Sequence, residues 1–233
     1  DELHPFAMDA KILPETIAQP DPSLPGSCTF SYFTYGSGKD RHRYEFGDSV
    51  TIKTGTVDGS GLIDAWEHLS GKLRTRYWGV TADSLPLNGR VWMPDGNGPF
   101  PLILMVHGNH LDRDYSDPGY AYLGKQFASL GIIAVSVDEN FLNSAWTNIP
   151  KGLKGENDAR GWLLLKHLEQ WRSWNSDTAS PLSGKADLSK VVLVGHSRGG
   201  EAVCVAALFN NLPCNPDNAL EKIAKKIVSE KRF

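Results

Sequence analysis

The sequence has no large excess of charge of either sign. Its 24 Lys and Arg stand against 27 Asp and Glu, a formal net charge of −3 over 233 residues. That balance supplies neither the basic face that binds nucleic acid nor an acidic tail. No apolar run reaches the roughly 18 residues of a membrane span, so the sequence offers no candidate span. The start, Asp1-Glu2-Leu3, lacks the basic and apolar segments of a signal peptide. If Asp1 begins a processed mature chain, a secreted or periplasmic location is favoured. Cysteine is scarce and odd in number: Cys28, Cys204 and Cys214. Cys204 reads as a buried free thiol on a helix, with a Cys204–Cys214 bridge as the alternative. Internal repeats and low-complexity segments are also missing. What remains, 40% hydrophobic and 22% charged residues, describes a globular chain long enough to bury a full core.

The texture changes along the chain. Residues 1–27 hold five prolines and little periodicity, which predicts an extended arm lying on something else. Cys28–Tyr35, Asp48–Thr54, Arg74–Val80 and Asn88–Met93 are rich in Thr, Val, Tyr and Trp between glycine clusters, and read as antiparallel strands and hairpins. After Pro99 the pattern becomes βαβ. It runs through an apolar strand at 101–106, a helix at about 119–130 closed by Gly131, and a strand at 132–137. A helix at about 157–174 and a strand at 190–194 follow. This alternation predicts a parallel sheet covered on both faces. The division expected is an arm and β-rich extension at 1–71, then an α/β unit at 72–233.

Residues 191–200 read Val-Val-Leu-Val-Gly-His-Ser-Arg-Gly-Gly. An apolar strand breaks into Gly195-His196-Ser197-Arg198-Gly199, the G-x-S-x-G pattern of a strand-to-helix turn that presents a serine nucleophile. Composition alone gives roughly 0.2 such matches per chain, so the context decides. His107-Gly108-Asn109-His110, Asp138-Glu139-Asn140 and the Ser197 turn all fall at the carboxyl ends of predicted parallel strands, where ligands gather.

These residues resemble the α/β-hydrolase superfamily, in the branch of dienelactone hydrolases, platelet-activating-factor acetylhydrolases and cutinase-type polyesterases. The resemblance runs from about Tyr77 to Asn211. It is carried by Gly89-Arg90-Val91-Trp92, Pro99 to Leu104 leading to His107-Gly108, Ala121 to Gly131, Ser136-Val137-Asp138, Asp158-Ala159-Arg160 and Gly195 to Gly200. The chain is also similar to a set of larger microbial hydrolase-like proteins. The resemblance implies an α/β chain: a partial α/β-hydrolase fold, its mostly parallel sheet covered by helices on both faces, preceded by an antiparallel β-rich N-terminal extension. It also implies that strand 101–106 lies between strands 131–137 and 190–194. It implies acyl transfer from a small or polymeric ester to Ser197. Backbone N–H groups of Asn109 and Arg198 would form the oxyanion hole, with no cofactor and no metal. His107, His110, Asp138 and His196 are the further cleft-lining candidates. Arg198, Glu201, Asp158 and Arg160 are expected to form a structural ion-pair network. Trp162 and Trp171 are assigned to the core by helix position, and Trp146 to the cleft.

One departure is decisive for the expectation. In such hydrolases the acid and then the histidine follow the serine in the chain, yet residues 198–233 hold no histidine. They hold the helix after Ser197 and an amphipathic helix at about 216–229. The expectation is therefore an N-terminal part of a longer protein, with acid and base beyond Phe233 and strand 190–194 left as an apolar edge. Two rivals stand beside it. Gly108-Asn109-His110 resembles a metallophosphoesterase signature, with His107, His110, Asp112 and Asp114 as ligands. The other is a non-catalytic binding module retaining the turn.

Overall fold

A computed structural model of the chain describes residues 21–63, 66, 68–145 and 153–213. Its sheet is organised around β6, Phe100–Val106. This strand lies between β7, Ile133–Asp138, and β8, Ala186–Gly195, and runs parallel to both, the order that the resemblance implies. Leu102 to Val106 and all of β7 are buried, which is why these strands read as unbroken apolar runs. Leu102, Leu104 and Val106 face one core layer, and Ile103 and Met105 face the other.

The second layer is closed by α2, Ala121–Ser129, whose Gly124 lets the Trp92 ring approach: a Cβ there would sit 2.3 Å from it. Gly131, with φ 81, ends that helix as expected. The first layer is covered by α3, Glu156–Ser176, and α4, Arg198–Phe209. These two touch at Gly161, where a Cβ would meet Val205 Cγ1 at 2.6 Å. Trp162 and Trp171 are in the core.

The expected antiparallel extension is integrated into this sheet. β1, Phe30–Gly36, pairs antiparallel with β5, Asn88–Pro94, and β5 pairs antiparallel with β7. Of Asp48–Thr54 only β2, Ile52–Lys53, is extended, and it pairs parallel with β1 rather than forming a hairpin. The sheet order is β2-β1-β5-β7-β6-β8. Two short strands, β3 (Thr56–Val57) and β4 (Leu85–Pro86), form a separate ladder. Residues 22–28 lie on the end of α2: Gln126 Nε2 donates to Pro22 O and Leu24 O, and Gly26 N–H donates to Ser129 Oγ.

Arg74–Val80 is not a strand. It belongs to α1, Leu69–Trp78, closed by Gly79 with φ 74. Leu73, Thr75 and Tyr77 alternate as a strand would, but the buried positions are Gly71, Arg74 and Trp78, at helical spacing. Cys204 is exposed, not buried. It lies one turn before Leu208, which is 53% exposed, on the outer face of α4. β8 has no outer neighbour among the described residues. The amphipathic segment 216–229, Trp146 and Cys214 lie outside the described residues.

Candidate active site

The turn from β8 into α4 is built by exclusion of side chains. A Cβ on Gly195 would lie 2.0 Å from Gly199 O, and one on Gly199 would lie 2.3 Å from Val106 O. Both positions therefore require glycine. Between them Ser197 takes φ 55 and ψ −123, the only positive φ outside glycine among the described residues. The N–H groups of Gly199 and Gly200 donate to His196 O and Ser197 O, at 2.9 and 2.8 Å. Ser197 is exposed, and its hydroxyl makes no hydrogen bond among the described residues.

The end of β6 supplies the facing wall. At Gly108 a Cβ would come within 2.9 Å of Ser197 Cβ and of His196 O, so the 107–109 backbone lies directly against the serine. Asn109 holds this loop by its side chain: Oδ1 accepts from Ser144 N–H at 2.8 Å and Nδ2 donates to Ser144 Oγ at 2.9 Å. The backbone N–H groups of Asn109 and Arg198 have no acceptor among the described residues. Arg198 follows the exposed serine and Asn109 follows the glycine packed against it, at the N-terminal end of a helix whose dipole favours negative charge.

The histidines separate by environment. His107 is 3% exposed and fully engaged: Nδ1–H donates to Gly108 O at 2.8 Å, and Nε2 accepts from Glu139 N–H at 3.0 Å. Burial, with Arg160 adding repulsion, pushes its pKa down to about 4, so it is neutral and structural and does not line a cleft. His110 and His196 are exposed, and His196 Nδ1 lies 3.3 Å from the Cβ position at Gly108.

Asp138 is not in a cleft either. It is fully buried, ion-paired to Arg43, and accepts from Asn140 N–H at 3.0 Å and from Asn88 Nδ2 at 3.2 Å. Burial alone would raise its carboxyl, but Arg43 and the Asn140 N–H pull it down to about 2. Arg43 also binds Asp117 at 2.8 Å and Asp40 at 3.2 Å, and Arg90 binds Asp117 at 2.6 Å and Glu45 at 2.5 Å. Burial and the neighbouring Asp138 push Asp117 up to about 6.

The expected ion-pair network exists with different partners. The Arg198 side chain turns from the turn to Glu156, which also faces Arg160 at 3.5 Å, and Arg160 pairs with Glu139 at 3.2 Å. Glu201 accepts instead from Asn157 Nδ2 at 2.5 Å. Glu156 and Asn143, both bound to Arg160, and Arg43, Asp117 and Ser144 were not visible as site-supporting residues in the sequence. Their partners lie up to 95 residues away, beyond any local pattern.

Among the described residues no three His, Cys, Asp or Glu side chains form a group that could hold a metal ion. The ligand set His107, His110, Asp112 and Asp114 is therefore not assembled, since His107 already spends both ring nitrogens inside the protein. No described helix is long and apolar enough to cross a membrane.

A family model described as Chlorophyllase matches residues 70–215. The Esterase FrsA of Klebsiella pneumoniae strain 342 is 31% identical over 126 residues, covering 53% of this chain and 28% of that protein. The Esterase FrsA of Shigella boydii serotype 18 is 29% identical over 93 residues, covering 40% of this chain and 21% of the relative. The chain thus spans less than a third of the length of these relatives. Among solved structures, an esterase from Pyrobaculum calidifontis aligns at 22% identity and a TM-score of 0.35, covering 53% of this chain and 35% of that one.

Proposed function

The chain belongs to the Chlorophyllase family, within the α/β-hydrolase superfamily, and from that premise we propose that it carries the nucleophile and oxyanion hole of a carboxylic ester hydrolase. The carrying observation is Ser197 at φ 55 with the Gly108 backbone packed against it. In this reading Ser197 Oγ attacks the ester carbonyl and loses its proton to a general base. The N–H groups of Asn109 and Arg198 hold the tetrahedral oxyanion, each donor contributing about 3–4 kcal/mol in the transition state. Collapse expels the alcohol, protonated by the same base, and water then cleaves the acyl-serine. The base and its acid partner come from outside the described residues, because His107 is locked neutral and the Ser197 hydroxyl has no partner among them.

The test is hydrolysis of 4-nitrophenyl acetate by the full-length protein and its Ser197→Ala variant, with folding checked by circular dichroism. A fall in kcat of about 10⁴- to 10⁶-fold in the folded variant, with no effect of a metal chelator, is the expected result. Activity that survives Ser197→Ala, or that a chelator abolishes, overturns the reading. A folded full-length protein inert toward every ester tried makes this a binding module.

A further inference from the structure

The loop that leaves Ser197 leads to a second feature. The Gly108 backbone packs against Ser197, and three and four residues beyond Asn109 the same loop lines a cavity of about 320 Å³. Its walls include Leu73, Arg74, Arg76 and Tyr77 of α1, with Asp112 and Arg113 of the loop. Four peptide steps span at most about 14 Å, so the cavity lies within reach of one small substrate bound at Ser197.

Its charge is unbalanced. Three guanidinium groups face one carboxylate. Arg74 is 1% exposed and donates Nη1–H to Phe141 O at 2.9 Å, with the Asp112 carboxylate as its nearby counter-charge. Arg76 and Arg113 are exposed, and neither pairs with a carboxylate among the described residues. Arg113 is held in another way. Its guanidinium lies 4.6 Å from the centre of the Tyr77 ring, which stacks on His42 at 4.0 Å and meets Trp78 edge-on at 5.3 Å. An arginine fixed by an aromatic platform keeps its N–H fork available for a planar oxyanion.

We propose that this cavity is an acidic-group subsite, taking a carboxylate or phosphate carried by the ester substrate, with Arg76 and Arg113 as its specificity residues. Its catalytic meaning rests on the Ser197 reading; its binding chemistry does not. Guanidinium forks match the paired oxygens of such groups, and Leu73 offers an apolar wall to the linker between the acid and the ester. Binding energy gained at this distance orients the scissile carbonyl over Ser197.

Calorimetric titration of the protein with glutarate and, separately, with inorganic phosphate at low salt tests the binding step. At least one anion is expected to bind with a Kd of about 1 mM, unchanged in Ser197→Ala and at least tenfold weaker in Arg76→Ala/Arg113→Ala. The tighter anion identifies the group. Absence of binding by both, or undiminished binding in the double variant, overturns the proposal. On the full-length protein the double variant should lose at least tenfold in kcat/KM for the 4-nitrophenyl monoester of glutaric acid and keep its value for 4-nitrophenyl butyrate. An equal loss on both esters also overturns it. If both esters are inert while glutarate binding still depends on the two arginines, the Ser197 reading fails and the anion site stands.

Discussion

Ser197 occupies a backbone region that costs a non-glycine residue about 1–3 kcal/mol, at φ 55. Removing the hydroxyl keeps that cost, whereas removing the Cβ releases it. Ser197→Gly is therefore expected to melt above Ser197→Ala, by about 2–4 °C for each kcal/mol released; a lower melting temperature for the glycine variant contradicts the strain. His107 gives a pH prediction. Its pKa is about 4 in the folded protein, against an ordinary value of 6.5. Below pH 6.5 the unfolded chain binds a proton that the folded chain refuses until about pH 4, so this histidine costs stability across that window. Relative to His107→Gln, the wild type should lose up to about 1.4 kcal/mol per pH unit between 6.5 and 4 in urea titrations. Parallel curves for the two proteins refute it. At this scale the site was half legible. Gly195, Ser197 and Gly199 declare themselves because sterics demand them at fixed spacing, whereas Asp138 and His107 look like cleft residues at strand ends until their partners are seen. Ser144, which sets the Asn109 loop, lies 35 residues away.

Elements were readable where burial wrote an unbroken or periodic apolar signal. β6, β7 and α3 did so, and β8 to within a few residues. α1 hid because its buried stripe is Gly71, Arg74 and Trp78: the first residue is there for close approach to Trp66, whose carbonyl oxygen would lie 2.0 Å from a Cβ. The second is an arginine whose head finds Phe141 O. Hydrophobicity alone cannot register either. The α3–α4 contact rests on a comparable small residue. Gly161→Ala puts a methyl group 2.6 Å from Val205 Cγ1 and 2.9 Å from Ala202 O, and overpacking of this kind costs about 1–3 kcal/mol. The midpoint of urea unfolding should fall accordingly; an unchanged midpoint means the helices move apart freely.

Across the whole molecule, one buried arginine joins segments that the sequence shows as separate. Arg43 binds Asp40, Asp117 and Asp138, so residues read as an extension are tied to the end of a core strand, and β1 continues the sheet beyond β5. Arg43→Ala leaves two buried carboxylates short of their counter-charge and should destabilise the fold by about 3–5 kcal/mol in denaturant titration. A loss below about 1 kcal/mol would mean that water reaches the cluster. The same tie sets an order of events during synthesis. Arg43 leaves the ribosome 95 residues ahead of Asp138. At about 5–20 residues per second its partner arrives roughly 5–20 s later. β5 arrives about halfway through that interval and gives β1 a strand to pair with, but until Asp138 follows the guanidinium has no completed cluster to enter, so the segment that carries Arg43 waits for sequence still to be made.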